Sequence, residues 1–296
     1  EVTKAKNLAD ALAAGIVAPE TPLLTFETGD TLYAVPMQIV LSYNVIQGEL
    51  PGKQAWLMTF CNACNTGMVF DPVIDGLRLH FRRRGAYDGL LLIYDEETAS
   101  YWQHITGKGL YGASQGQALR QITTTRRMSA AEAVTRTDAR FFTTTLTPEQ
   151  QKIAHFAENM RANPQMTQEI ILSTVAGEDL RRPRFELGLG MWNHSEASAF
   201  LPLTSLHVHD NALRTRFDGR ALIVYQHPDA ISPVAVYLDS TTARWEGDRL
   251  RVDGGYIQDD VYYTPSGIQP LERPNQLLMR WFGFALTFKN CEIVAA

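Results

Sequence analysis

The chain has 296 residues, 45% of them hydrophobic, enough to bury a substantial core in one large domain or in two units of roughly 100 to 200 residues. A formal net charge of -5 provides no broad basic field for nucleic-acid phosphates. No apolar stretch approaches the roughly 18 residues that cross a bilayer, so neither a nucleic-acid partner nor a membrane span is expected.

The opening TKAKNLADALAAGIV places Leu8, Leu12 and Ile16 at helical spacing, and Pro19 and Pro22 cannot continue it. An N-terminal helical extension over residues 1–22 is expected. The first residue is Glu1 rather than Met, which fits a processed terminus and an extracytoplasmic location. From residue 23 to about 105, short apolar runs alternate with turn residues: LLTF, TLYAVP, QAWLMTF, GMVFD, LRLHF and LLLIYD. This is strand and hairpin punctuation. In LRLHF, alternation puts Leu77, Leu79 and Phe81 on one face and turns His80 to the other.

Thr147-Pro148-Glu149-Gln150 reads as a helix start, with Thr147 as N-cap and an apolar stripe of Ile153, Phe156, Ala157 and Met160. Asn163-Pro164 interrupts it, and QMTQEIILSTVAGEDL is expected to begin a second helix before strand character returns at RRPRFELGL. Placing Pro36 over Pro202 aligns TLYAVPMQIVLSYN with SAFLPLTSLHVHD, and the following runs match in order with a period of about 166 residues. The expected fold class is α+β: a β-rich, internally duplicated unit, with repeats at 23–143 and 185–296 joined by a helical linker at 144–184. Each repeat is expected to close on a helix-like segment.

Three cysteines, Cys61, Cys64 and Cys291, are too few for a disulfide scaffold, and the odd number leaves at least one without an intramolecular partner. Cys61-Asn-Ala-Cys64 lies between two strand-like runs. Its sulfurs can close a small disulfide ring or grip a metal, whereas a thioredoxin-like thiol would need a helix start that NTGMVF does not offer. Zinc would need two more ligands and copper(I) suits a Cys2His set, with His80 and His104 the first choices to complete it. A pair without any metal fits equally well. Cys291, at the far end of the second repeat, is expected to pair with neither.

His207 and His209 would share one face of a strand and form a second metal site, with Asp210 or His227 nearby. His155 and His194 read as surface residues. Arg82, Arg83 and Arg84 present forked donors to a phosphate or carboxylate, or pair with Asp95, Glu96 and Glu97. Asp95 and Glu97 are also the carboxylates available for acid–base work. No GxSxG, P-loop, GxGxxG or HExxH pattern is present, so no common reaction is marked.

The combination AVPMQIVLSYNVI, MTFCNACNTGMVFD and LLLIYDEETASYWQHITGKGLYG resembles the bacterial DUF3179 family, which carries a CPxCG[ST]-like segment followed by a YDxETxSxW-type segment. The resemblance is best over residues 24–122, and LERPNQLLMRWFGFALTF is similar to the family's terminal segment. Asn62 stands where the family usually has proline, and Tyr43-Asn44 where it has a His-Glu pair. A first-half site built on that histidine is therefore not expected. The corresponding places in the second half read His209-Asp210 and, for the cysteine motif, His227 to Ala230.

The family's function is undefined, so the resemblance implies no reaction. The residues allow an exported accessory protein with a structural or metal- or redox-capable cysteine pair. They also allow a non-catalytic binding or assembly module, acting with a protein partner or as a homo-oligomer, whose cysteines are only structural. An enzyme using Asp95, Glu97 and the arginines on an acidic small molecule is the third reading.

Overall fold

The computed structural model describes residues 5–136, 138–163, 165–166 and 172–294. A three-residue strand, β1 (Ala5–Asn7), leads directly into helix α1 (Leu8–Ala13), which Asn7 caps by accepting from the N–H groups of Ala9 and Asp10. The helical segment is thus shorter than the spacing predicts, and Ile16 lies outside it, half exposed.

Strands β2 (Pro22–Thr28) and β3 (Thr31–Pro36) form a hairpin about Gly29-Asp30. Helix α2 (Met37–Tyr43) follows Pro36 and ends at Asn44, whose φ of 62° and N–H bond to Val40 O close it. Then β4 (Val45–Glu49), β5 (Ala55–Thr59) and β6 (Met68–Asp71) form an antiparallel meander. A small hairpin, β7 (Val73–Ile74) with β8 (Leu77–Arg78), precedes a separate sheet of β9 (Phe81–Tyr87), β10 (Leu90–Asp95), β11 (Tyr101–Gln103) and β12 (Gly109–Tyr111). LRLHF is therefore split between two strands. Leu79 and Phe81 are buried as expected, but Leu77 sits at an exposed hairpin edge.

The chain returns in β13 (Arg120–Thr124), which pairs with β6, and β14 (Arg126–Ser129), which pairs with β2. A four-residue helix, α3 (Ala130–Ala133), leads to β15 (Asp138–Phe142), parallel to β3. The first sheet has the order β1-β15-β3-β2-β14, so the N-terminal strand belongs to this sheet rather than to a detached extension. Its core stacks Phe26, Tyr33, Trp56 and Phe142 with ring centroids 5.2 to 5.7 Å apart.

Helix α4 (Pro148–Ala162) begins as predicted, with a capping box between Thr147 and Gln150. Ala154 and Ala157 form its buried face, towards α2; Phe156 of the expected stripe is half exposed. Of the segment QMTQEIILSTVAGEDL, expected to begin a second helix, residues 167–171 lie outside the described residues; residues 165–166 are helical, Leu172–Thr174 forms a 3-10 turn, and the rest to Leu180 is irregular.

In the second half, β16 (Leu187–Trp192) and β17 (Ser198–Pro202) form a hairpin, and α5 (Leu203–His207) follows Pro202 as α2 follows Pro36. Strands β18 (Ala212–Phe217), β19 (Arg220–Tyr225) and β20 (Val234–Tyr237) form a meander. A second meander runs through β21 (Ala243–Glu246), β22 (Arg249–Val252), β23 (Gly255–Gln258), β24 (Val261–Thr264) and β25 (Gly267–Gln269). Next, β26 (Asn275–Arg280) pairs with β16, α6 (Trp281–Thr287) follows, and β27 (Glu292–Ile293) lies parallel to β17. The order β27-β17-β16-β26 therefore has the same senses as β15-β3-β2-β14. Of the segments expected to close each half as helices, the first is mostly strand around the four-residue α3, whereas the second holds the seven-residue α6 between β26 and β27.

Candidate metal and disulfide centre

The cysteine motif sits in the connection between β5 and β6. Cys61 and Thr66 form an isolated β-bridge, and Cys61 O accepts from the N–H groups of Asn65 and Thr66. Asn65 adopts φ 62°, and Gly67 passes so close to β5 that an added Cβ would lie 1.9 Å from Thr59 O. Only glycine fits there. Asn44 Nδ2 donates to Phe60 O and to Asn62 Oδ1, which ties the loop to the end of α2. Asn44 is thus a structural anchor of this loop.

Cys61 and Cys64 are joined as a disulfide, and both are buried. Cys64 N–H points to Cys61 Sγ at 3.1 Å. His104 reaches them from the turn after β11, a turn closed by Gln103 Oε1 accepting from Ile105 N, Thr106 N and Thr106 Oγ1. Its backbone carbonyl accepts from Thr59 Oγ1 at 3.1 Å, and its Nε2 lies 3.9 Å from Cys64 Sγ. The ligand atoms of Cys61, Cys64 and His104 all lie within 4.8 Å of one another. Burial pushes the His104 imidazole down to about 3, so it is neutral at ordinary pH. Its Nδ1 is buried without a hydrogen-bond partner among the described residues. The arrangement can exist as a disulfide or, once reduced, as two thiols and one neutral imidazole close together in the buried core.

Of the residues singled out in the sequence, the structure brings Cys61, Cys64 and His104 together and leaves His80 apart. His80 Nδ1 pairs with Glu97 Oε1 at 2.6 Å, and its N–H donates to Glu97 Oε2 at 2.7 Å on a partly exposed surface. Burial opposes the ionised Glu97 carboxyl, but these two bonds from His80 hold it below the usual range. Cys291 is a free, buried thiol in the same apolar core, raised by its burial, with the Arg181 guanidinium beside it.

His207 ends α5 and His209 lies in the turn beyond it, both exposed, so they do not share a strand face. The short helix after Pro202 takes the place of the strand that the His-Val-His spacing assumed, and among the described residues no metal-ligating trio forms there. Arg82, Arg83 and Arg84 lie on the exposed β9, where alternation separates them. Arg82 pairs with Glu96, and Arg83 Nη1 donates to Asn44 Oδ1 at 3.1 Å.

Asp95 is fully buried and accepts from Thr98 N, Thr98 Oγ1, Ser100 N and Trp102 Nε1 at 2.6 to 3.2 Å. The YDEETASYW segment is thus a closed turn that seats a core tryptophan, not an acid–base pair. Two residues the sequence reading missed lie beside the cysteine loop: Arg127, and Arg280, which donates to the carbonyls of Ala63 and Cys64. A lone cation in the apolar run QLLMRWFGF was the available signal for Arg280.

Nothing among curated proteins and nothing among solved structures matches this chain. The closed turn of YDEETASYW and the cysteine loop before it carry a family pattern that extends over both halves. The chain belongs to the family described as Protein of unknown function (DUF3179), whose model matches residues 4–285.

Proposed function

We propose that the protein is an exported accessory protein whose centre is Cys61–Cys64–His104, a disulfide that on reduction becomes a Cys2His site for a soft cation. The observation that carries this reading is the convergence of Cys61, Cys64 and the buried His104, whose ligand atoms lie within 4.8 Å of one another, with His104 Nε2 3.9 Å from Cys64 Sγ. A dithiol reductant supplies two electrons and two protons, the S–S bond breaks, and two thiols result. Binding of a cation then releases the thiol protons. Two sulfurs and one nitrogen suit copper(I), whereas zinc lacks a fourth ligand among the described residues. A persistent disulfide favours an oxidising, extracytoplasmic compartment.

The shared strand orders support two repeats, at 23–143 and 185–296, arising by duplication, with 144–184 as the connection. A second reading, a binding or assembly module with purely structural cysteines, is favoured by one contact. The second half docks on the cysteine loop through Arg280, and Gly283 leaves room for Cys64 Cβ.

The test is copper(I) titration of the fully reduced protein against a chromogenic copper(I) chelator. One equivalent should be retained by the wild type and by His80→Ala, and lost in Cys61→Ser, Cys64→Ser and His104→Ala. A reduced wild type that takes up no copper(I), with the cysteine variants changed only in stability, would retire the metal reading and leave the structural one.

A further inference from the structure

Three arginines from distant parts of the chain meet beside the cysteine loop. Arg280 ends β26 and is 3% exposed; it donates Nη1 to Ala63 O at 2.9 Å and Nη2 to Arg161 O at 2.6 Å. Its backbone N–H donates to Cys64 O at 2.9 Å. Arg127, on β14, donates Nη1 to Asn65 Oδ1 at 3.2 Å. Arg161, in the last turn of α4, pairs with Glu158.

The charge in this cluster does not close. Three guanidinium groups face one carboxylate, and among the described residues neither Arg127 nor Arg280 has an ion pair. Carbonyl oxygens accept from their Nη groups without neutralising them, and a disulfide brings no charge. Burial first, then the Arg161 cation, and then Arg280, with Glu158 opposing, pull Arg127 down to about 10. Burial and Arg161 bring Arg280 to about 10 as well. Both remain cations at neutral pH. Arg127 Nε, Arg280 Nε and Asn65 Nδ2 are also buried donors without partners, all on residues that touch or form the same short loop. A buried, uncompensated cation is costly, and a buried donor without an acceptor adds to that cost.

We propose that Arg127, Arg161 and Arg280, with the Asn65 amide, form a binding site for one small tetrahedral oxyanion, phosphate or sulfate. An excess of two positive charges matches a dianion better than a single carboxylate does. Forked guanidinium donors match several oxygens around one centre. The deep burial of Arg280 and Asn65 favours a free anion over a phosphate ester, whose alcohol part would have to enter the same space. The proposal does not rest on metal binding by the cysteine pair. Thiolates of a reduced cysteine pair would compete for the same positive field, so the oxidised protein is the one to test.

The experiment is calorimetric titration of the oxidised full chain, freed of phosphate and sulfate, at constant ionic strength. The probes are inorganic phosphate, sulfate, chloride and glycerol phosphate. Phosphate and sulfate should bind one to one, glycerol phosphate more weakly, and chloride without saturation. Arg127→Gln should weaken phosphate binding about 10- to 100-fold, while Arg244→Gln, on an exposed ion pair far from the loop in sequence, should leave it unchanged. Should Arg127→Gln fail to fold, Arg127→Lys carries the test, because it keeps the charge and loses the fork; weaker binding is expected. No saturable binding by the wild type, or unchanged affinity in the folded Arg127 variant, would overturn the site. Glycerol phosphate binding as tightly as phosphate would overturn the assignment to a small free anion.

Discussion

Two buried carboxylates show how differently the same side chain is used. Asp95 spends its oxygens on neutral donors and locks a turn, whereas Asp260 collects cations. It accepts from Arg126, Arg136 and the Tyr225 hydroxyl, with Arg273 Nη2 at 4.0 Å. Burial alone would raise the Asp260 carboxyl, but Arg126, Arg136 and Arg273 hold it well below the usual carboxylate range. A carboxylate depressed in the folded state contributes stability that is present above its unfolded value of about 3.9 and lost as pH falls through the folded value. Asp260→Asn should therefore cost about 3–5 kcal/mol near neutral pH, as expected for one partner removed from a buried pair. The gap to the wild type should narrow as pH falls below about 4. Glu132, beside it, is raised by burial despite Arg126, and Asp260 adds to that rise, so Asp260→Asn also relieves Glu132. Urea denaturation of the two proteins from pH 7 to pH 3 measures the gap; a difference independent of pH would contradict the assignment.

At the scale of elements, the cysteine loop depends on a glycine more than on its sulfurs' neighbours. Gly67 has an ordinary φ, so what excludes a side chain is the backbone of β5, with Thr59 O only 1.9 Å from an added Cβ. Thr125 Oγ1 also donates to Gly67 O at 2.7 Å, binding the loop to β14's approach. Gly67→Ala should destabilise the fold by about 3 kcal/mol, at the upper end of overpacking costs. Gly219→Ala, where nothing lies within 4 Å, should cost only its left-handed backbone strain. Chemical denaturation of both variants checks the order, and Gly67→Ala at wild-type stability would contradict the close approach.

The same loop shows what was legible in the sequence. Its place between two strands and its turn residues could be read from QAWLMTFCNACNTGMVFD, because alternation and turn chemistry are local, whereas the spacing left its sulfurs open between a disulfide and a metal grip. His104 was named as a ligand by type, but His80 was named equally, and only the fold separates them. One turn carries His104 inward, while Glu97 holds His80 at the surface. His207 and His209 misled for a related reason: a two-residue spacing aligns side chains only on a strand, and Pro202 opens a helix instead. Arg127 and Arg280 meet across more than 150 residues of sequence, and no local pattern encodes such a meeting.

At the scale of the whole molecule, the two halves resemble each other in strand order and each has cores of its own, yet a further core is shared between them. One cluster joins Leu57, Phe70 and Trp102 of the first half to Phe200, Leu277, Trp281 and Phe284 of the second. Fully burying one such side chain contributes about 1.5–3 kcal/mol, so opening the seam alone would expose more apolar surface than a domain's usual net stability of about 5–15 kcal/mol can offset. Polar groups cross the same seam. Arg126 and Arg136 of the first half meet Asp260 of the second, Gln121 Nε2 donates to Asn275 Oδ1 at 2.8 Å, and Arg280 seats on the cysteine loop. Independent unfolding would leave buried charges unpaired on both sides. The oxidised chain should therefore unfold in one calorimetric transition, with van't Hoff and calorimetric enthalpies about equal. Near-ultraviolet signals from Trp56 in the first core and Trp245 in the last meander should be lost together. A chain ending before β16 should lack this cooperative transition, because Leu57, Phe70 and Trp102 would lose their cover. Two resolved heat-capacity peaks, or a truncated first half that unfolds cooperatively by itself, would mean that the shared core does not bind the halves into a single folding unit.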